Sequence, residues 1–284
     1  MSGIGRFLEF SVRTPDIIES LHFYKLLGFE ELEIGEVWPH KYAVVSDGVL
    51  CIGLHDREFD SPAVTFIQPE LAKHARSMND HGFNFTHMQL GEDSFNELRL
   101  NDKDGHAIMM LEARTFTGAD ADDNDSLCGA WIELTLPARE AMHAARFWAP
   151  IAPVILSMRE EPTMHMRFDA GGIALGLSES IALSGPSLCF KCNDRDAIGE
   201  VCDRFGFEKQ NFPGFEGAFA ALKAPEGTCL YLFDEDFLGE GIEVDESDDL
   251  SEFKDSQKVT KKKKARKKPA KKKPAKKKPA KKKR

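Results

Sequence analysis

The chain has 284 residues, 42% of them hydrophobic and 10% aromatic, which is room for two domains with sizeable cores. No apolar run approaches the ~18 residues of a membrane span. The N-terminus MSGIGRFLEF lacks the basic patch and apolar stretch of a secretory signal, and the six cysteines are scattered through apolar segments as reduced thiols would be, so a cytoplasmic protein is expected. The net charge of −9 conceals a split: residues 258–284 carry 18 Lys/Arg and no acid, which leaves the rest at −27, and residues 234–255 hold 11 acids against one base, Lys254.

In chain order, LEFSVRT (8–14) reads as a strand, and it sets the carboxylate Glu9 inside an apolar pattern. Asp16 then stands where a helix cap is wanted, before Ile18, Leu21, Phe23 and Leu26 at helical spacing, and Gly28 suits the helix end. EELEIGEV, KYAVVSDG and VLCIGLH follow as strands, with an Asp-Gly turn at 47–48. The same order returns over 62–113. AVTFIQ is a strand, ELAKHARSMNDHGF a helix, and NFTHMQL, FNELRLND and AIMMLEA are strands, with a second Asp-Gly turn at 104–105.

The order then repeats at an offset of 122–124 residues. LEFSVRTPDIIESLHFY (8–24) aligns with IELTLPAREAMHAARFW (132–148), so Glu9 falls on Glu133 and Phe23–Tyr24 on Phe147–Trp148. VLCIGLHD (49–56) meets GIALGLSE (172–179), PAVTFI meets PSLCFK, HGF meets FGF, and DKDGHAIMML (102–111) meets APEGTCLYLF (224–233). Five matches in order point to duplication. The reading is α+β: four βαβββ modules (6–56, 62–113, 130–180 and 186–235) in two pseudo-repeated halves of cupped mixed β-sheets, plus a disordered basic tail. The expected domains are a first half at 1–113, a polar linker at 114–129, a second half at 130–235, an acidic connector at 236–257 and the tail at 258–284.

FLEFSVRTPDIIESLHFYKLLGF, with its strand–Asp–helix–Phe-Tyr–Leu-Gly-Phe pattern, and DKDGHAIMMLE resemble the vicinal oxygen chelate superfamily of glyoxalases, bleomycin-resistance proteins and extradiol dioxygenases. The resemblance covers residues 6–235 and implies fold more than reaction, since that scaffold hosts isomerases, dioxygenases and plain binders. It also implies that paired modules curl into a cup with a divalent metal at its base, held from the first and last strands of each module. Carried over, those positions are Glu9, Gly53, Ala63 and Met109 in the first half. In the second they are Glu133, Gly176, Ser187 and Tyr231. A catalytic zinc needs about three strong protein ligands, and each cup supplies one carboxylate. No cofactor is therefore expected, the alternative being a divalent metal through Glu9 or Glu133. The histidines, His55, His87, His106 and His165 among them, are read as rim or surface residues because none occupies a ligand position.

Three roles are open to Glu9: contact with a ligand, a structural pair with a neighbour on its face such as Arg13, or general base catalysis. Ser187 and Tyr231, with Cys189 on the face of Ser187, make the second cup the more polar one. The expected ligand-binding residues are thus Glu133, Ser187, Tyr231, Cys189 and Glu9. Phe147–Trp148 and Phe23–Tyr24 read as core, and Trp38 and Trp131 as core or pocket lining.

The tail KKKKARKKPAKKKPAKKKPAKKKR cannot bury apolar surface, and a proline every fifth residue keeps it extended. Its composition resembles the Lys-rich tails of linker histones and bacterial histone-like proteins, which implies salt-sensitive binding of nucleic acid or another polyanion. Pairing with the chain's own acidic connector competes with that role. The expected protein is a cytoplasmic monomer or homodimer that binds a small molecule in a cup, with nucleoid association as the alternative location. The alternatives are a glyoxalase-like lyase or isomerase or a dioxygenase with a non-standard metal set, and a nucleoid-associated scaffold.

Overall fold

The computed structural model describes residues 3–33, 40–91, 95–113, 126–192, 194–205, 209–210, 215–234 and 242–243. All of them belong to the unit Met1–Val244. Trp38, most of the polar linker, most of the acidic connector and the basic tail lie outside the described residues.

The first half opens with β1 (Arg6–Arg13), α1 (Ile17–Leu26), β2 (Glu30–Glu31), β3 (Tyr42–Ser46) and β4 (Cys51–His55). The second module gives β5 (Ala63–Ile67), α2 (Leu71–Asp80), β6 (His87–Gln89), β7 (Glu97–Asn101) and β8 (Ala107–Leu111). The second half repeats this with β9 (Ala130–Pro137), α3 (Ala141–Trp148), β10 (Val154–Arg159), β11 (His165–Asp169) and β12 (Ala174–Ser178). Its last module is β13 (Ser187–Lys191), α4 (Arg195–Phe205), β14 (Lys209–Gln210), β15 (Ala218–Lys223) and β16 (Cys229–Phe233). The short β17 (Ile242–Glu243), inside the stretch read as acidic connector, adds two residues to the edge of β10.

The two modules of each half share one sheet. The orders are β2-β3-β4-β1-β5-β8-β7-β6 and β14-β15-β16-β13-β9-β12-β11-β10-β17. In each, the first strands of the two modules lie side by side and antiparallel, β1 on β5 and β9 on β13. Each also pairs in parallel with the last strand of its own module. This settles which modules pair: the positions facing one another come from the same half.

Alternation then sorts the side chains. Phe10, Val12, Ile52, Leu54, Val64, Phe66, Ile108 and Met110 face the helices. Glu9, Ser11, Gly53, His55, Ala63, Thr65 and Met109 take the other face, which is the concave one. The helix-side faces of both halves merge into one core that holds Tyr24 and Trp148 with no exposure. Asp16 starts α1 as expected, accepting from the Ile18 and Glu19 amides at 3.0 and 3.1 Å.

The halves are joined reciprocally. On one side, Ser20 and Tyr24 of α1 donate to Glu226 in the turn before β16, at 2.8 and 2.6 Å. Burial and that carboxylate hold the Tyr24 phenol well above its ordinary range. On the other side, Arg139 ahead of α3 donates to Asp104 in the turn before β8, at 2.8 Å. A cleft of about 180 Å³, lined by Ser61–Pro62, Ser184–Pro186 and Glu226–Cys229, lies on the Glu226 side. No helix among the described residues is long and apolar enough to cross a membrane.

Candidate functional site

Each cup has a buried glutamate at its floor, and in both the glycine beside it makes room. A Cβ on Gly53 would lie 2.3 Å from the Glu9 carboxyl carbon, and one on Gly176 would lie 2.0 Å from Glu133 Oε1. The carboxylate therefore occupies the space in which a side chain from the neighbouring strand would stand.

In the first cup Ser11 Oγ donates to Glu9 Oε1 at 2.7 Å and the Tyr42 hydroxyl donates to Oε2. His55 Nε2 lies 2.8 Å from Oε1, and His55 Nδ1 lies 3.0 Å from Nε2 of His40. Thr65 and Ser11 hydroxyls are 2.6 Å apart. Glu9 is 1% and His55 2% exposed, whereas His40 and Tyr42 are half-buried at the mouth. Phe59 packs edge-on against His55 with centroids 5.5 Å apart. Beyond it, Glu97 is gripped by Arg57 at 2.9 Å and by Arg99. Burial alone would raise the Glu97 carboxyl, but the two guanidiniums win and hold it below the usual range. Arg13 turns away from Glu9 and pairs with Glu58 at 2.6 Å, so the expected Arg13 partner is replaced by Ser11, Tyr42 and His55.

In the second cup Glu133 has no exposure. Thr135 Oγ1 donates to its Oε1 at 2.5 Å, His165 Nε2 lies 2.9 Å from the same oxygen, and Arg167 Nε lies 2.9 Å from Oε2. Thr135 Oγ1 is also 3.3 Å from Cys189 Sγ. Burial, and then the charge of Glu133, push the Cys189 thiol well up, which makes it a poor nucleophile. Ser187 donates to Gly185 O at 2.9 Å and Tyr231 to Ala182 O at 3.4 Å, so both hydroxyls point out of the floor. Burial, with Cys229 and Cys189, pushes the Tyr231 phenol up to about 12. Ile132, Leu183, Phe215, Ala221 and Phe233 pack with Tyr231 into an apolar wall. Arg159 of β10 sits in the field of Glu216 and Glu133, and burial still lowers its pKa below the ordinary guanidinium value. His165 Nδ1 and Glu216 Oε2 are buried with no hydrogen-bond partner among the described residues.

The metal positions implied by the sequence do not converge in either half. Gly53 and Gly176 are displaced by the glutamates, Ala63 and Met109 offer no donor, and Ser187 and Tyr231 bond elsewhere. Among the described residues no three His, Cys, Asp or Glu groups are placed to hold a metal ion. In the first cup the reason is visible, because His55 spends one nitrogen on Glu9 and the other on His40. The described residues of the two cups thus offer no donor set that fits a divalent ion.

Reading His55 and His165 as rim residues is corrected by their burial against the two glutamates. The signal was in the register. Tyr42 faces His55 across β3–β4, and His165 faces Ser178 across β11–β12, the same two positions at an offset of 123. Each cup therefore places one imidazole on a strand pair beside its glutamate. His87 is exposed on β6, and His106 pairs with Asp102 at 2.8 Å.

No protein-family model matches the sequence, and no curated protein matches it. Solved structures do. The 2,3-dioxygenase LapB from Pseudomonas sp. KL28 aligns at TM-score 0.55 and 12% identity, over 87% of this chain and 96% of that one. A variant of homoprotocatechuate 2,3-dioxygenase from Brevibacterium fuscum aligns at TM-score 0.54 and 14% identity, over 82% and 72%. A catechol 2,3-dioxygenase aligns at 0.52 and 10%, over 81% and 87%. These likenesses show the fold: it is the vicinal oxygen chelate fold of extradiol dioxygenases.

Proposed function

We propose that this vicinal-oxygen-chelate-fold protein binds a small organic molecule in its second-half cup without the divalent metal that the fold often carries. The supporting observation is that His165 Nδ1 and Glu216 Oε2 are buried with no hydrogen-bond partner among the described residues. A buried polar atom without a partner costs about 1–3 kcal/mol, so such an atom calls for a water, an ion or a bound molecule, and two of them in one cup favour a ligand. In the first cup, Glu9, Ser11, His55 and Thr65 satisfy one another. The apolar wall around Phe215 and Tyr231 suits a ligand with an apolar body, and Glu133, Arg167 and Arg159 suit its polar end. The solved neighbours are named for small aromatic substrates, homoprotocatechuate and catechol.

Native mass spectrometry of the full chain from its own cells should show a noncovalent organic adduct that denaturation releases. The variant His165→Phe should lose it by about tenfold in affinity, roughly 1.4 kcal/mol, while His87→Gln on the exposed β6 keeps it. Bare polypeptide in every sample, or an adduct indifferent to His165, overturns the reading.

The basic tail adds a tether to polyanions, because a run of 18 cations without an acid releases counterions from nucleic acid phosphates. Duplex DNA should bind the full chain with an affinity that falls steeply as salt rises. Removing 258–284 should abolish that binding, since the remainder carries −27. Equal binding by the truncated chain would place the contact elsewhere.

A further inference from the structure

The joint between the halves carries a site of its own, apart from the second cup. We propose that the cleft of about 180 Å³ beside Glu226 binds a small primary amine as its ammonium ion, with the Glu226 carboxylate as the counter-charge. Val12, Pro62 and Pro186 form its apolar walls, and the two prolines hold the same position in the two halves at an offset of 124.

The two joints, compared, show which charge lacks its opposite. The turns DKDGH (102–106) and APEGT (224–228) correspond, so Asp104 and Glu226 hold one position. Asp104 is neutralised by the Arg139 guanidinium at 2.8 Å. Arg139 falls on Pro15 in the other half, which has no charge to give. Glu226 instead accepts from two neutral hydroxyls, Ser20 at 2.8 Å and Tyr24 at 2.6 Å. The Tyr24 phenol, held well above its ordinary range, stays protonated, so it solvates the carboxylate without cancelling its charge. Among the described residues Glu226 forms no ion pair, and no Lys, Arg or His lines the cleft.

A half-buried carboxylate in that state favours a cation. An ionised carboxylate offers about four lone-pair sites. The two hydroxyls take two of them, so acceptors remain for the N–H groups of an ammonium. A calcium-like ion wants about six to eight oxygen ligands, and the cleft lining supplies one carboxylate. The apolar walls beside that carboxylate suit a cation that carries carbon. Ser184 brings a hydroxyl to the same lining, an acceptor for a further N–H. The cleft is smaller than the pockets of about 300–1,000 Å³ that hold drug-sized ligands, which limits the amine to a few carbons. Such an amine has a pKa near that of lysine, about 10, and is charged at neutral pH.

The test is a titration of the full chain with n-butylammonium chloride at neutral pH, followed by amide chemical shifts. The Gly185, Gly227 and Cys229 amides should shift and saturate together. Butan-1-ol, which has the carbon without the charge, should leave them in place. Glu226→Gln should weaken binding by about tenfold or more, the loss of a charge-assisted hydrogen bond. Gly185→Leu fills the cleft from a position where a Cβ meets open space, keeps Ser20, Tyr24 and Glu226, and should abolish binding. It decides the matter if Glu226→Gln does not fold. A chain ending at residue 257 keeps every described residue and should bind no less tightly. A gain there would identify a lysine of the tail as an ammonium that fills the same cleft. Shifts that never saturate, an equal response to butan-1-ol, or an affinity unchanged in either variant overturns the site.

Discussion

Replacing Glu133 by leucine should destabilise the chain by about 3–5 kcal/mol, because it breaks a buried ion pair from one side only. Glu133 is fully buried and holds Arg167, His165 and Thr135. Leucine fills the volume but leaves the Arg167 guanidinium, 14% exposed, without its buried anion. For a folded body of this size, each kcal/mol shifts the melting temperature by about 2–4 °C. The variant should therefore melt about 10 °C lower in a calorimetric scan. The companion variant Glu133→Leu/Arg167→Met/His165→Leu removes the Glu133–Arg167 pair together with His165 and should recover most of the loss, since replacing a whole buried pair is often neutral. A single variant that melts with the parent would mean that water reaches Glu133, and the second cup would then be open rather than dry.

That contrast bears on what the sequence discloses. The modules were legible because their information is local and repeated. The strand–helix order of LEFSVRTPDIIESLHFY returns in IELTLPAREAMHAARFW, later strands return with it at an offset of 122–124 residues, and the sheets follow them. Glu9 and Glu133 were legible as inward-facing because alternation fixes a strand face. Their partners were not, because His55 reaches Glu9 from another strand, 46 residues away, and His40 reaches His55 from outside any strand. A strand face can be read along one chain segment, but a cross-strand neighbour needs the register. Arg13 shows the limit: it shares a strand with Glu9, yet pairs with Glu58. Ser187 and Tyr231 show another, since a residue can occupy the right position while its hydroxyl bonds a nearby carbonyl.

The relation between glutamate and glycine is the feature that the halves share most closely, and it can be measured. Gly53→Ala should cost about 3 kcal/mol, near the upper end for overpacking. The new Cβ would lie 2.3 Å from the Glu9 carboxyl, whose oxygens are pinned by Ser11, Tyr42 and His55 and cannot swing aside cheaply. Gly199→Ala, in α4 with open space around it, should instead stabilise by about 0.5–1 kcal/mol, the helical glycine penalty. The decisive variant is Gly53→Ala/Glu9→Ala. If the glycine exists to admit the carboxylate, removing the carboxylate relieves the clash, and the double loss in urea unfolding falls short of the sum of the singles by about 1–3 kcal/mol. Strict additivity would mean that Gly53 answers to something other than Glu9. Coupling would show that the position from which a neighbouring strand could offer a metal ligand has been given over to the floor carboxylate, so that restoring a ligand there requires moving the glutamate as well.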